Sequence, residues 1–439
     1  MTPTVNVPLA KRIIQQLKRG TAPLEGVRAL NVGRERYFVE VDQQLDDLAA
    51  DGGASIRFLN GEYGHGKTHF IGMTNASALD KGWVTSYVKL SSADGVRLDK
   101  FEQLYSAILR NCICQRLIDA YDRIYDPGDA NGWSWILEDW LARQLGMLAK
   151  SGVDRNSVGA RERTLGALDV LLRKANVTGD FAAAVKVFAG GTLDRGDRRL
   201  KDATIRWFAC EKVPELKEYG VLAPITGKNA RQTLRSLIAL LHELGYRGMA
   251  FFVDEIENVL TKDYTKPQRQ VAYQNLRELL DNIDGGVSGL GLNRAVCYLA
   301  ATPLMFTGEK GFREYAALHS RIDEVRLPIA DLRGLPDYRA VVIDLAASPL
   351  EPAHRRELAE KICDIHAVAY KWDPRAVGAD RWVAAVVTEY EKHRSEQGGL
   401  RPLCRAVANA LDIAEQHRGQ PDPEDAPKVV AAAFREDAR

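Results

Sequence analysis

The chain has little of what marks a membrane or secreted protein. No apolar run approaches the ~20 residues that a membrane-spanning helix needs, and Met1 to Arg12 lack the apolar core of a signal peptide. The six cysteines are scattered, and the only close pair, Cys112 and Cys114, has no second pair at zinc-site spacing. We therefore expect a cytoplasmic protein with reduced thiols and no membrane partner.

Net charge and repetition are also missing. The 60 Lys and Arg residues against 59 Asp and Glu give a formal charge of +1, which offers no global electrostatic argument for nucleic-acid binding. We find no internal repeat and no long low-complexity tract. With 46% hydrophobic residues, the composition is that of an ordinary globular protein, and 439 residues suffice for two or three domains. Function must therefore be sought in local motifs.

One glycine-rich segment carries strong chemical meaning. Residues 61–68, GEYGHGKT, fit the G-x-x-x-x-G-K-[ST] loop that wraps the phosphates of ATP or GTP. A strand is predicted at Ser55–Asn60 and a helix after the loop, which is the context that this motif requires. Lys67 would bridge the β- and γ-phosphates, and Thr68 would hold Mg²⁺. The nucleotide-contacting residues predicted here are Gly61, Glu62, Tyr63, Gly64, His65, Gly66, Lys67, Thr68 and His69.

A second motif of the same chemistry lies downstream. Met249–Val253 is an unbroken apolar run, typical of a strand buried on both faces of a parallel sheet. Asp254 at its carboxyl end is predicted to bind Mg²⁺. Glu255 is predicted to orient and polarise the water that attacks the γ-phosphate. Together the two motifs predict an ATPase with ATP and Mg²⁺ as cofactors.

The order of predicted elements indicates an α/β fold. A second strand is predicted at Trp83–Leu90, a later one at Arg294–Ala301 ending in Thr302, and a turn at Ser320-Arg321 with a last strand up to Pro328. The roughly 160 residues between the second strand and Asp254 exceed a simple crossover, so we predict a helical insertion at about 100–235. We expect a parallel sheet flanked by helices in 51–330, an N-terminal helical segment in 1–50, and a helical lid in 331–439.

The motif order resembles that of the AAA+ P-loop ATPases, with a distant likeness to their origin-recognition branch. The resemblance places Gly33 and Arg34, of a Gly-Arg-Glu box, near the adenine. Thr302 falls at the sensor 1 position, although Pro303 beside it also suits a plain strand end. Arg321 falls where relatives place an arginine finger, although pairing with Asp323 would look the same. Arg401 falls at sensor 2, with a surface arginine as the alternative.

A closer resemblance covers most of the chain. Residues 10–23, the box at 32–35, the segment 56–70 and Gly398-Gly399-Leu400-Arg401 are similar to the ATP-binding proteins of bacterial phage-exclusion (BREX) defence systems, BrxD type. That family implies a role in sensing or acting on foreign DNA. It also implies self-association or other defence-system proteins as partners.

Several functions stay open at this point. The first hypothesis is an ATPase that uses nucleotide state to drive conformational change, with DNA as a candidate partner. A basic cluster in the insertion would suit DNA phosphates, although a solvated helical face is the usual meaning of such runs. The alternatives are a nucleotide-gated scaffold with little turnover and an origin-recognition-like DNA loader. The cluster comprises Arg155, Arg161, Arg163, Arg195, Arg198, Arg199 and Lys201.

Overall fold

The structure, a computed structural model of the chain, describes residues 5–121, 132–194, 198–282, 291–323, 337–346, 349–397, 399–417 and 422–437. The chain divides into two compact units. Unit 1 comprises Met1–Asp42, Leu59–Ser77 and Leu327–Arg439, and unit 2 comprises Gln43–Phe58 and Ala78–Arg326. The domain limits predicted from the sequence stay predictions. No helix among the described residues is long and apolar enough to cross a membrane.

The described residues form strands and helices, numbered here in chain order. The strands are β1 (Ala54–Asn60), β2 (Val84–Lys89), β3 (Cys112–Ile113), β4 (Met249–Asp254), β5 (Ala295–Ala301) and β6 (Val342–Asp344). The helices are α1 (Val7–Lys18), α2 (Glu35–Asp51), α3 (Lys67–Asp80), α4 (Phe101–Arg110), α5 (Gln115–Tyr121), α6 (Gly132–Lys150), α7 (Val158–Lys174), α8 (Gly179–Leu193), α9 (Arg198–Phe208), α10 (Ala230–Glu243), α11 (Lys266–Asp281), α12 (Pro303–Thr307), α13 (Ala316–Asp323), α14 (Pro352–Tyr370), α15 (Ala379–Gln397), α16 (Arg401–Gln416) and α17 (Ala426–Asp437).

The strands belong to one six-stranded sheet in the order β3-β2-β4-β5-β1-β6. The β2–β4 and β4–β5 pairs are parallel, with Val84 opposite Met249 and Met249 opposite Ala295. Every residue of β4 and β5 is buried. An apolar run in a central parallel strand is covered on both faces, so the prediction of a buried parallel strand at 249–253 is confirmed. The predicted strands at 55–60, 83–90 and 294–301 are confirmed as well.

Helices carry the chain from β2 to β4, as the predicted insertion requires. The periodic segments at 101–109, 135–142, 168–172 and 234–241 lie in α4, α6, α7 and α10. The tryptophans Trp133 and Trp140 are buried at 5% and 4% exposure, as core positions should be. Trp133 lies 4.1 Å from the ring of Phe208 and 5.1 Å from that of Phe188, measured between centroids. These aromatic contacts give the insertion its own apolar core.

Three details differ from the sequence expectations. The short strand β3 pairs antiparallel to β2, and two residues are too few to show a periodic pattern. Strand β6 lies in the region predicted to be helical throughout after Pro328. The turn predicted at Ser320-Arg321 is wrong, because both residues lie in α13. The strand predicted to follow Arg321 and end at Pro328 falls mostly on 324–328, outside the described residues.

Unit 1 has a helical core of its own. Helix α1 is amphipathic, and the buried residues of its apolar face are 0–5% exposed. Asn6 caps this helix by accepting a hydrogen bond of 3.0 Å from the backbone N–H of Leu9. The face joins an apolar cluster with α14, α15, α16 and α17. The buried members contributed by α1 are Ala10, Ile13, Ile14 and Leu17.

Candidate functional site

The predicted phosphate loop lies in unit 1, between the end of β1 and the start of α3. Gly64 and Gly66 have φ angles of +78° and +85°, in the left-handed region that favours glycine. Helix α3 begins at Lys67, so its N-terminal end follows the loop directly. A helix N-terminus after a glycine-rich turn is a ready-made anion site, because unpaired N–H groups and the helix dipole favour negative charge.

Lys67 is held by the loop itself. Its side chain is buried, and its Nζ donates hydrogen bonds to the carbonyl oxygens of Gly61 at 2.7 Å and Glu62 at 3.2 Å. The same Nζ lies 5.2 Å from the ring centroid of Tyr63, within reach of a cation–π interaction. The ammonium group therefore lies inside the loop. Thr68 follows as the second residue of α3.

Arg34 braces the loop from the Gly-Arg-Glu box. It is 6% exposed, and its Nη2 donates a hydrogen bond of 2.9 Å to the carbonyl oxygen of His65. Burial lowers the pKa of the Arg34 guanidinium to about 10, which still leaves it charged at neutral pH. Its Nε is buried without a hydrogen-bond partner among the described residues. The sequence prediction that Arg34 belongs to the nucleotide site remains a prediction, but its contact with the loop supports it.

Gly33 lets the box approach the start of α14. It has a φ angle of +66°, and a Cβ built there would lie 2.7 Å from Nδ1 of His354 and 2.8 Å from Cδ2 of Leu350. Only glycine accommodates both the backbone conformation and that distance.

His69 contributes no positive charge to the loop at neutral pH. Its Nε2 lies 3.4 Å from Oδ1 of Asn31. Burial, together with the nearby charges of Arg34 and Lys361, lowers the pKa of the His69 imidazole to about 3. The ring is therefore neutral, and we interpret it as a packing residue behind the loop.

The start of α16 touches the phosphate loop through its backbone. The N–H of Leu400 donates a hydrogen bond of 3.0 Å to the carbonyl oxygen of Gly64. A Cβ added to Gly399 would lie 2.9 Å from the carbonyl oxygen of Tyr63 and 3.0 Å from Cα of Gly64. Arg401, the predicted sensor 2 residue, is the first residue of α16. The structure thus places it one residue from the hydrogen bond to the loop.

A cavity of about 520 Å³ opens beside this contact, wholly within unit 1. Its size falls in the range of small-molecule sites. The lining combines loop residues, two arginines, one carboxylate and an apolar wall. The lining residues are Arg34, Gly64, His65, Leu345, Ala346, Pro349, Leu350, Arg355, Tyr390, Glu391 and Leu400.

The acidic motif lies in unit 2, at the end of β4. Asp254 is 4% exposed, and its carboxylate accepts hydrogen bonds from the hydroxyl of Tyr87 at 3.0 Å and from the N–H of Glu255 at 2.9 Å. Glu255 adopts left-handed angles, φ 60° and ψ 44°, which cost a non-glycine residue on the order of 1 kcal/mol or more. Lys89 pairs with its Oε1 at 2.8 Å, from the strand position opposite Asp254.

Thr302 and Arg321, the other two predicted site residues of unit 2, have different surroundings. Thr302 is 2% exposed and stands between β5 and α12, so the polar strand end predicted from the sequence is present. Arg321 pairs through its Nε with Oδ1 of Asp281 at 2.8 Å, and this pair is partly exposed. The sequence alternative of a pair with Asp323 is not tested, because the side chain of Asp323 lies outside the described residues.

A comparison with protein families shows which family the chain belongs to. The family model described as "BREX system ATP-binding protein BrxC/D" matches residues 7–427. The chain belongs to this BrxC/BrxD family. No curated protein and no solved structure gives a significant match. Membership confirms the resemblance stated from the sequence and identifies ATP as the ligand of this BREX-system protein.

Sequence reasoning missed several residues around these motifs of the BREX family member. Lys89 and Tyr87 end a strand that was predicted, so their nearness to the acidic pair could have been inferred from the parallel pairing of β2 and β4. Gly399 carried a visible signal as a glycine ahead of Arg401. Arg355 and Glu391 carried none, because they stand on different helices and meet only in the fold.

The backbone contact of Gly399 generates a first prediction. In Gly399→Ala the new methyl group meets backbone atoms, which cannot rotate away, so the start of α16 must shift off the loop. We expect ATP to bind about tenfold more weakly, a loss of ~1.4 kcal/mol, as measured by isothermal titration calorimetry. Gly146→Ala is the matched control, since a Cβ there meets nothing within 4 Å. Equal affinities of both variants would show that the contact does not serve binding.

Proposed function

We propose that this BREX-family protein binds ATP with Mg²⁺ at the loop of residues 61–68, hydrolyses it, and uses nucleotide state to drive conformational change in phage defence. The observation that carries the proposal is the preformed loop. Gly64 and Gly66 already adopt left-handed angles, and the Lys67 ammonium already lies against the loop carbonyls. An anion entering this loop would meet donors that need no large rearrangement.

The residues present fit a nucleoside triphosphate. The Lys67 ammonium and the α3 N-terminus offer donors and positive charge for the phosphates. Arg34 lines the adjoining cavity with a buried Nε that lacks a partner among the described residues, and a ligand acceptor would satisfy it. The apolar wall of the cavity suits the faces of a purine.

Each of the two motifs also contains a hard oxygen ligand for Mg²⁺. We assign the Thr68 hydroxyl and the Asp254 carboxylate to this ion, as the sequence motifs imply. When bound, the ion would neutralise phosphate charge. The assignment of Asp254 rests on its motif and on its position at the carboxyl end of a buried strand.

The catalytic assignments follow the family pattern. Glu255 is the proposed base that orients the attacking water, with Thr302 as a polar group beside the reacting phosphate. Arg401 is the proposed reporter of the γ-phosphate, and its position next to the Leu400–Gly64 hydrogen bond supports this role. A change at the phosphates would then be transmitted through the start of α16 to the apolar cluster of α14–α17.

Substitutions in the two motifs test binding and chemistry separately. Lys67→Ala should abolish high-affinity ATP binding in calorimetry, because the main counter-charge to the phosphates is lost. Unchanged affinity in Lys67→Ala would refute the loop assignment.

Glu255→Gln should retain ATP and slow its hydrolysis by roughly 10²-fold or more, as expected when a positioned base is removed. Wild-type turnover in this variant would show that Glu255 does not take part in hydrolysis.

One observation favours a second candidate function, a nucleotide-gated scaffold with little turnover. The carboxylate of Glu255 is paired with Lys89 at 2.8 Å, so it is engaged and not free to act on water. A protein resting in this state would bind ATP and signal through the bound form. Steady-state phosphate release with and without duplex DNA separates the two functions. Substantial or DNA-stimulated turnover favours the ATPase, and negligible turnover in both conditions favours the scaffold.

The Lys89–Glu255 pair generates a prediction of increased activity. In Lys89→Gln the restraint on Glu255 is removed, so we expect basal ATP hydrolysis to rise several-fold in a phosphate-release assay. The pair is partly exposed, and such pairs contribute little to stability, so the unfolding temperature should hardly change. Lys228→Gln, an exposed lysine of the same unit, is the control. A rate equal to or below the wild-type rate would show that Lys89 does not restrain the glutamate.

Self-association through Arg321 is part of the proposal. An arginine supplied by a neighbouring subunit can raise phosphoryl-transfer rates by ~10³ or more. The competing role is structural, through the pair with Asp281. Mixing Lys67→Ala protein with Arg321→Ala protein tests this: each alone should be inactive, while the mixture should regain activity at interfaces that join an intact loop to an intact arginine. A mixture as inactive as its components, with a wild-type rate independent of concentration, would confine Arg321 to its own chain.

A further inference from the structure

The cavity of unit 1 holds a carboxylate that phosphate binding cannot use. Among the described residues that line it, Glu391 is the only acidic one. A carboxylate repels the phosphates of a nucleotide, so the base and the sugar are the parts of a nucleotide that it could bind.

A buried arginine fixes this carboxylate in place. Arg355, 1% exposed, donates from Nη2 to Oε2 of Glu391 at 2.8 Å and from Nε to Oε1. Its Nη1 donates to the carbonyl oxygen of Leu350. This two-bond pairing restricts the orientation of Glu391, while each oxygen keeps a further lone pair for a donor. The Glu391 side chain is 28% exposed, and it lines the cavity.

The lining of the cavity combines two kinds of residue. Gly64 and His65 belong to the phosphate loop, and Arg34 contacts it. Leu345, Ala346, Pro349 and Leu350 supply an apolar wall. Because a purine has flat apolar faces, it fits such a wall. The guanidinium of Arg355 bridges the Leu350 carbonyl and Glu391, so it links the apolar segment to the carboxylate.

We propose that Glu391, positioned by Arg355, accepts a hydrogen bond from the exocyclic amine of adenine and so selects ATP over GTP. The inference rests on the proposed function and deepens it. Adenine carries an N6 amino donor where guanine carries an O6 carbonyl acceptor. An acceptor facing a carboxylate gains no hydrogen bond and is repelled, so the same group that favours adenine disfavours guanine.

The alternative donors in ATP are the ribose hydroxyls. They are polar and would be drawn away from an apolar wall, whereas the amine projects from the edge of an apolar ring. The arginine bridge to Leu350 therefore favours the amine. If the amine is the donor, an analogue without the amine binds more weakly; if a ribose hydroxyl is the donor, a deoxy analogue does.

A ligand series on the unaltered protein tests the proposal without any risk of misfolding. Affinities are measured by calorimetry for ATP, 2′-deoxy-ATP, purine riboside triphosphate, which lacks the amine, and GTP. We expect ATP and 2′-deoxy-ATP to bind alike, and the two others at least about tenfold more weakly, as a site built for a hydrogen-bonding group rejects analogues without it. Purine riboside triphosphate binding as tightly as ATP overturns the inference. If no nucleotide binds at all, the proposed function itself fails, which is a distinct result.

A matched pair of variants tests the residue. Glu391→Gln can offer its amide N–H₂ to the O6 of guanine, so the preference for ATP over GTP should fall at least about fivefold. Glu389→Gln, on the same helix and outside the cavity lining, should keep the wild-type preference. Thermal unfolding shows whether each variant is folded. An unchanged preference in folded Glu391→Gln protein would exclude Glu391 from base recognition.

Discussion

The proposed nucleotide site of unit 1 depends on one close approach between two backbone segments. Gly64 lies in the phosphate loop and Gly399 directly before α16, and their Cα atoms come so near that neither position has room for a side chain. The Leu400–Gly64 hydrogen bond joins the same two segments. Tyr390 adds a third tie, because its hydroxyl donates a hydrogen bond of 2.6 Å to the carbonyl oxygen of Gly399. The loop and the start of α16 are therefore held together by main-chain groups, whose geometry changes little with side-chain rotation, and the Tyr390 side chain ties α15 to them.

The two halves of the predicted chemistry are organised differently. In unit 1 the phosphate loop is braced by buried groups, with Arg34 on the carbonyl of His65 and Lys67 on the loop carbonyls. In unit 2 Asp254 is held by the Tyr87 hydroxyl and the N–H of Glu255, while Glu255 stands in a strained conformation with a partly exposed lysine partner. A buried brace resists change, whereas a partly exposed ion pair exchanges readily. This difference fits the proposed roles, in which the loop holds the nucleotide and Glu255 acts on the water.

Much of this arrangement could be predicted from local sequence, and the rest could not, for physical reasons. The loop at 61–68 and the strand at 249–254 were predictable because each is a continuous segment with a recognisable pattern of residue types. The predicted helices of the insertion were confirmed because apolar spacing along a helix is local as well. Strands β3 and β6 were missed, since two or three residues carry no periodicity. The Arg355–Glu391 pair and the glycine contact join residues on separate segments, and only the folded chain brings them together. The roles of Thr302, Arg321 and Arg401 stay predictions.

The hydrogen bonds of Lys67 affect the free-energy cost of burying its ammonium group. Because the ammonium already has carbonyl partners, the loop does not bury an unpaired charge, whose cost would otherwise be several kcal/mol. In the proposed site, nucleotide binding is therefore an exchange of hydrogen-bond partners around Lys67.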